Sequence, residues 1–139
     1  KKTANAKTQA ADWFGDGHPA RKAYLELYDS MPDEFGPTQI KQLKAALLMR
    51  AKANIKRVLS LREDRAVLAL LLRNGAIGDD LWQEFTDAEA EINLEVQQCM
   101  REAEDLQKGW GQQLFPEASQ AVQQEAQDVR SIVAVSFPP

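Results

Sequence analysis

The chain has 139 residues, 44% of them hydrophobic, with 17 Lys and Arg against 21 Asp and Glu, for a formal net charge of −4. That length suits one domain, the negative balance argues against a dedicated nucleic-acid binder, and the longest apolar stretch, Ala66 to Leu72, falls far short of the roughly 18 to 20 residues that cross a bilayer. A single cysteine, Cys99, excludes an intrachain disulfide and fits a reducing compartment.

In chain order, residues 1–12 lack large apolar anchors and read as a lead-in, which begins Lys1-Lys2 with no initiator Met and so predicts a piece of a longer protein. Trp13-Phe14 is the first anchor. Pro19 then opens a short helix to about Ser30 carrying Tyr24 and Tyr28. Thr38 can cap a longer helix with Ile40, Leu43, Leu47, Ala51, Ile55, Val58 and Leu59 at three- and four-residue steps, and Asp64 can cap a third, Arg65 to Arg73. Asn74-Gly75 supplies a left-handed residue to close it, so Gly75 is expected at positive φ. Asp79 and Asp80 restart a helix, Asp80 with Gln83 resembling a capping box; its apolar stripe runs Phe85, Ala88, Ile92, Val96, Cys99, Ala103, Leu106 and stops at Gly109. Pro116 opens a last polar helix, Glu117 to about Val129. The remaining RSIVAVSFPP is a β-branched run with no turn to pair it, which predicts an extended tail. The expected fold is all-α: one domain over 1–139, with an N-terminal arm (1–18), an irregular scaffold of about five helices (19–129) and a C-terminal tail (130–139).

Charge is divided along the chain. Eight of the 17 basic residues lie between Lys41 and Arg65, whereas 13 of the 21 acids follow from Asp79 onward. The basic helix could track a phosphate backbone, an RNA- or ribosome-contacting alternative, but no aromatic side chain interleaves between Lys41 and Arg65 to stack on bases.

Chemistry is hard to place. Asp79-Asp80 has no nucleophile or base beside it and is better read as a helix start. Glu84, Asp87, Glu91 and Glu95 lie along one helical side, but the one histidine, His18, is far away in sequence, so a solvated acidic face is expected rather than a metal site. Cys99 falls on an apolar stripe and reads as a structural thiol, and no phosphate-cradling glycine loop is present. The chain therefore points away from an enzyme, and neither a cofactor nor a metal is expected. Large residues near both ends, Trp13, Phe14, Tyr24, Tyr28, Ile132, Val133, Val135 and Phe137, are candidates for partner binding, with core packing an equal reading for the aromatics.

The run KAALLMRAKANIKRVLSLREDRAVLALLLRNGAIGDDLW, the acidic helix after it and GWGQQLFPEAS together resemble one family: the single-spanning subunit of the fungal Sec complex, which carries out post-translational protein translocation into the endoplasmic reticulum. The resemblance extends from about Trp13 to Ala118. It implies a non-enzymatic scaffold on the cytosolic face of the endoplasmic reticulum membrane, attached through a transmembrane helix that this chain lacks. It implies as partners a tetratricopeptide-repeat subunit, the J-domain subunit and channel, and Hsp70 reached through the repeat subunit, with no nucleic acid. On that reading the two arms, 1–18 and 130–139, would grip the repeat subunit from two sides.

Overall fold

A computed structural model describes residues 13–136. The described residues form four α-helices and one 3-10 turn with no strand: α1 (Pro19–Asp29), α2 (Pro37–Arg73), α3 (Asp79–Leu106), the 3-10 turn Trp110–Gln112, and α4 (Leu114–Ser136). No helix among them is long and apolar enough to cross a membrane.

The frame is an antiparallel hairpin of α2 and α3. Three cross-pairs fix its register: Lys44 with Gln107 at the base, Arg50 with Glu95 in the middle, and Arg65 with Glu89 near the tip. The tip is closed by a helix-ending motif that needs a left-handed residue. Gly75, at φ 77, lets its own N–H reach Leu72 O (3.0 Å) and the Ala76 N–H reach Leu71 O (2.8 Å), which satisfies carbonyls that α2 would otherwise leave open.

Residues 37 to 73 are one helix, not the two expected. Asp64 caps nothing, because no Gly or Pro interrupts the run and a single Asp inside a helix costs only about 0.7 kcal/mol. Packing on both sides of it offsets that amount: Leu61 is buried and Leu68 is packed beside it, against Phe85 and Ile92 of α3.

The C-terminal tail is also different from expectation. α4 starts at Leu114, with Pro116 tolerated in its first turn, and continues as helix through Ser136 instead of ending near Val129. Val and Ile are only modest helix formers, but no Gly or Pro follows Pro116 until Pro138, so an established helix propagates through them. The extended arm expected over 130–139 is thus helical up to Ser136. Phe137 lies outside the described residues, as do residues 1–12.

Two apolar clusters fill the hairpin. The base cluster joins Tyr24, Leu43, Leu47, Cys99, Trp110 and Leu114 with small alanines. The tip cluster joins Leu61, Phe85, Ala88 and Ile92, against which Trp13, Phe14 and Trp82 pack. Gly111 makes the base possible: a Cβ there would stand 2.8 Å from Met100 O, so only glycine lets this turn lie against α3. The Gly109 and Gly111 N–H groups donate to the Glu104 carboxylate, and the buried Trp110 Nε1–H donates to Glu117 of α4 (3.0 Å).

Candidate interaction surface

Between the two apolar clusters lies a buried polar layer. It is built from positions that the helical period brings inward: Arg50 and Asn54 on α2, Glu95 on α3, and His18 at the start of α1. Glu95 Oε2 accepts from Arg50 Nε (2.6 Å) and Asn54 Nδ2 (3.0 Å); Oε1 accepts from Arg50 Nη2 (2.7 Å) and Arg21 Nε (3.2 Å). His18 Nε2 lies 3.6 Å from the same carboxylate. Burial alone would raise the Glu95 pKa, but hydrogen bonds and charge from Arg50, helped by Asn54 and His18, outweigh it and hold the carboxyl below its ordinary range.

Glu95 therefore belongs to the interior and not to the solvated acidic face on which its sequence neighbours placed it. Arg50 is fully buried, stacked over the Tyr24 ring at 5.3 Å, with Nη1 left without a hydrogen-bond partner. Cys99 sits in the same layer, 3.3 Å from Asn54 Nδ2. Burial, with the nearby Glu95 charge, pushes its thiol up to about 12, so it stays protonated and unreactive at neutral pH. The layer's carboxylate oxygens already accept five protein donors including that thiol, which makes it an internal fastening.

Much of the basic helix's charge is paired within the chain. Arg50 pairs with Glu95, Lys52 and Lys56 with Glu125, Arg57 with Asp16, and Arg65 with Glu89, while Lys44 and Arg65 also lie over the Trp110 and Trp82 rings. Lys41, Arg62 and Arg73 remain for solvent, too scattered to form the phosphate-tracking row that an RNA contact needs.

The residues expected to bind a partner separate into groups. Tyr24 is wholly buried, with its hydroxyl donating to Glu102 (2.9 Å), so it is a core residue and not a contact. Burial, with Glu102 beside it, raises its pKa far above the ordinary value. Trp13 and Phe14 are half-buried and folded onto the hairpin, Trp13 edge-on to Phe85 (5.4 Å) and Phe14 beneath the Arg57 guanidinium (4.4 Å). They form no free arm, because α3 and Arg57 offer them cover within the chain. Tyr28 is partly exposed and stacks edge-on against Phe35 (5.6 Å).

The densest run of exposed large apolar side chains among the described residues is on α4. Its stripe begins buried at Leu114 and Ala118, is half-buried at Val122, and continues outward through Val129 (59% exposed), Ile132 (64%) and Val133 (48%), with Val135 at 81% beside it. Every described side chain from Gln123 to Val135 is exposed. Ion pairs of Lys52 and Lys56 with Glu125 join α2 to α4; Leu59, one turn beyond Lys56 on the same helical face, is exposed as well. Both helices thus present exposed apolar side chains beyond these ion pairs. Asp79 and Asp80 sit in the first turn of α3, where Gly78 is the N-cap and no side-chain cap bond forms; the Asp80–Gln83 box is absent because Asp80 lies inside the helix and not at its cap, and Gln83 Nε2 donates to Asp87 (2.9 Å).

With that geometry in place, a family model described as preprotein translocase subunit Sec66 matches residues 1–133. The chain belongs to the Sec66 family. It is 32% identical over 124 residues to translocation protein sec66 of Schizosaccharomyces pombe, covering 89% of this chain and 62% of that protein. It is 36% identical over 112 residues to translocation protein SEC66 of Saccharomyces cerevisiae, covering 81% and 53%. The chain thus spans a little over half the length of these relatives. A chain in the cryo-EM structure of the wild-type Sec complex from Saccharomyces cerevisiae, in the class without Sec62, superposes with TM-score 0.70 at 31% identity, covering 84% of this chain and 83% of that one.

Sequence reasoning missed the buried layer. A usable signal existed: Arg50 and Asn54 interrupt the stripe Leu43, Leu47, Arg50, Asn54, Leu61, and Glu95 interrupts Ile92 and Cys99, so three polar residues fall on faces that are otherwise apolar.

Proposed function

We propose that this chain is a non-enzymatic scaffold of the Sec translocation complex at the cytosolic face of the endoplasmic reticulum membrane. In this role it binds a tetratricopeptide-repeat subunit and joins it to the J-domain subunit and channel, and Hsp70 is reached through the repeat subunit. Membership of the Sec66 family and the likeness to a Sec complex chain support the setting. The observation that carries the binding role is the exposed apolar stripe Val129, Ile132 and Val133 on the outer half of α4. Contiguous apolar surface that a chain leaves uncovered marks a contact site, and a helical face with this spacing fits the grooves between repeat helices. The contact is thus helix-in-groove rather than the strand addition open to an extended tail. Trp13 and Phe14 serve it indirectly by bracing the hairpin tip.

Co-purification of the repeat subunit with this chain at low and high salt tests the reading. Retention at about 1 M salt is expected of an apolar contact, because the screening length there falls to roughly 3 Å and charge-driven binding is lost. Release of the repeat subunit at high salt, or retention of RNA at low salt in its place, would overturn it.

A further inference from the structure

The segment from Trp13 to His18 is held to the hairpin by the side chains of Trp13, Phe14, Asp16 and His18, and its backbone turns through the left-handed region. Gly15, Gly17 and His18 all take the left-handed conformation, with φ of 71, 70 and 54, and His18 is the one non-glycine residue at positive φ among the described residues. Beneath the segment is a recess of about 230 Å3 lined in part by Trp13, Phe14, Ile92 and Glu91, so the strap does not lie flush on α3.

His18 engages both ring nitrogens: Nε2 ties the strap to α2, and Nδ1 caps the start of α1. Asn54 Nδ2 donates to Glu95, which turns Asn54 Oδ1 toward the imidazole at 2.7 Å from Nε2; an oxygen there requires a proton on Nε2. Nδ1 lies 3.2 Å from the Arg21 N–H and must be a bare lone pair, capping the first turn of α1. One proton serves both contacts, so the lock needs a neutral ring. A second proton on Nδ1 would replace the acceptor by a donor facing another donor, at the positive end of α1.

We propose that His18 is a pH-gated latch on the Trp13–His18 strap: neutral, it caps α1 and holds the strap on Asn54; protonated, it releases the strap and uncovers the aromatic tip of the hairpin. The charged groups around the ring are Asp16 on the strap, Arg21 on α1, Arg50 and Arg57 on α2, and Glu91 and Glu95 on α3. Glu95 would favour an imidazolium, but Arg50 and Arg21 already engage its oxygens. Burial dominates and lowers the His18 pKa, Arg57 and Arg50 adding to it while the Asn54 bond and Glu95 oppose. The sign follows: with the folded pKa depressed, the latch is complete above the ordinary value of about 6.5 and is lost as the pH falls through the folded pKa. Asp16 and Glu95 are both held below ordinary carboxylate values, so they lose their contributions only in more acidic solution.

His18 is the chain's one histidine, so its imidazole C–H resonance can be titrated by NMR without assignment. Amide hydrogen exchange of residues 13–24, corrected for the intrinsic effect of pH, is compared at about pH 7.5 and 5.5. The strap's open population is expected to rise severalfold, up to a limit of about tenfold set by one pH unit below the ordinary histidine value. His18→Asn tolerates the left-handed backbone and keeps an acceptor for Arg21 without a titrating proton, so its protection should be alike at both pH values. His18→Gln, which keeps the donor toward Asn54, gives the same comparison should the first variant not fold. A histidine pKa at or above about 6.5, unchanged strap protection in the parent, or an equal loss in a folded variant would each overturn the proposal.

Discussion

Glu95→Gln probes the buried layer with one atom exchanged. The substitution removes the charge that compensates Arg50 and replaces one carboxylate oxygen by an NH2 group. Wherever that group is placed, it meets at least two donors: Arg50 Nε and Asn54 Nδ2 on one side, or Arg50 Nη2 and Arg21 Nε on the other. Arg50 is fully buried and cannot reach water, so the cost falls in the range of a broken buried pair, about 3–5 kcal/mol. Against a total stability of about 5–15 kcal/mol this is a large share, visible as a fall of roughly 10–20 °C in Tm. Adding Arg50→Met to the same chain should return part of the loss, since the stranded charge is then gone and Met fills the space. Urea denaturation of the parent, the two single variants and the double variant measures both effects, as a coupling above about 1 kcal/mol. If Glu95→Gln costs less than about 1 kcal/mol, or the losses simply add, the layer is not a fastening and the reasoning fails.

Gly75→Ala should lower stability by about 1 kcal/mol through strain at positive φ, while Asn74→Ala, at an ordinary helical φ, changes little; chemical denaturation separates them. Asp79→Ala with Asp80→Ala should cost on the order of 0.5–1.5 kcal/mol, the worth of two charges at a helix N-terminus with no cap bond to lose, and the difference should shrink with added salt in thermal melts. Trp13→Ala should destabilise the free chain by about 1–3 kcal/mol, less than a fully buried aromatic would, because half its surface already meets water; an unchanged Tm would mean the strap is not packed on Phe85.

Much of the scaffold was legible because helical period is a local signal. All five buried residues of α3, Phe85, Ala88, Ile92, Cys99 and Ala103, lie on the stripe that three- and four-residue spacing predicts. The failures share a cause. Asp64 is a good cap in isolation, and the run Ile132 to Val135 favours strands in isolation, but each lies inside a helix already propagating from one side, where one unfavourable residue is tolerated. The buried layer was invisible for another reason: His18 meets Asn54 across 36 residues and Arg50 meets Glu95 across 45, separations that no local pattern reports. The exposed α4 stripe was half legible, since Ile132, Val133 and Val135 stood out as uncovered, although as a strand rather than a helical face.

The central claim is that the outer face of α4 is the contact surface. Calorimetric titration of purified repeat subunit into the parent chain and into a Val129→Asp, Ile132→Asp variant tests it most directly, with circular dichroism and Tm recorded on both. These side chains are exposed in the free chain, so helicity and Tm should stay close to the parent, while Kd should rise at least about a hundredfold, near 2.8 kcal/mol, because two charges would be buried in an apolar contact. A folded variant that binds as tightly as the parent would contradict the account and move the contact to another face of the hairpin.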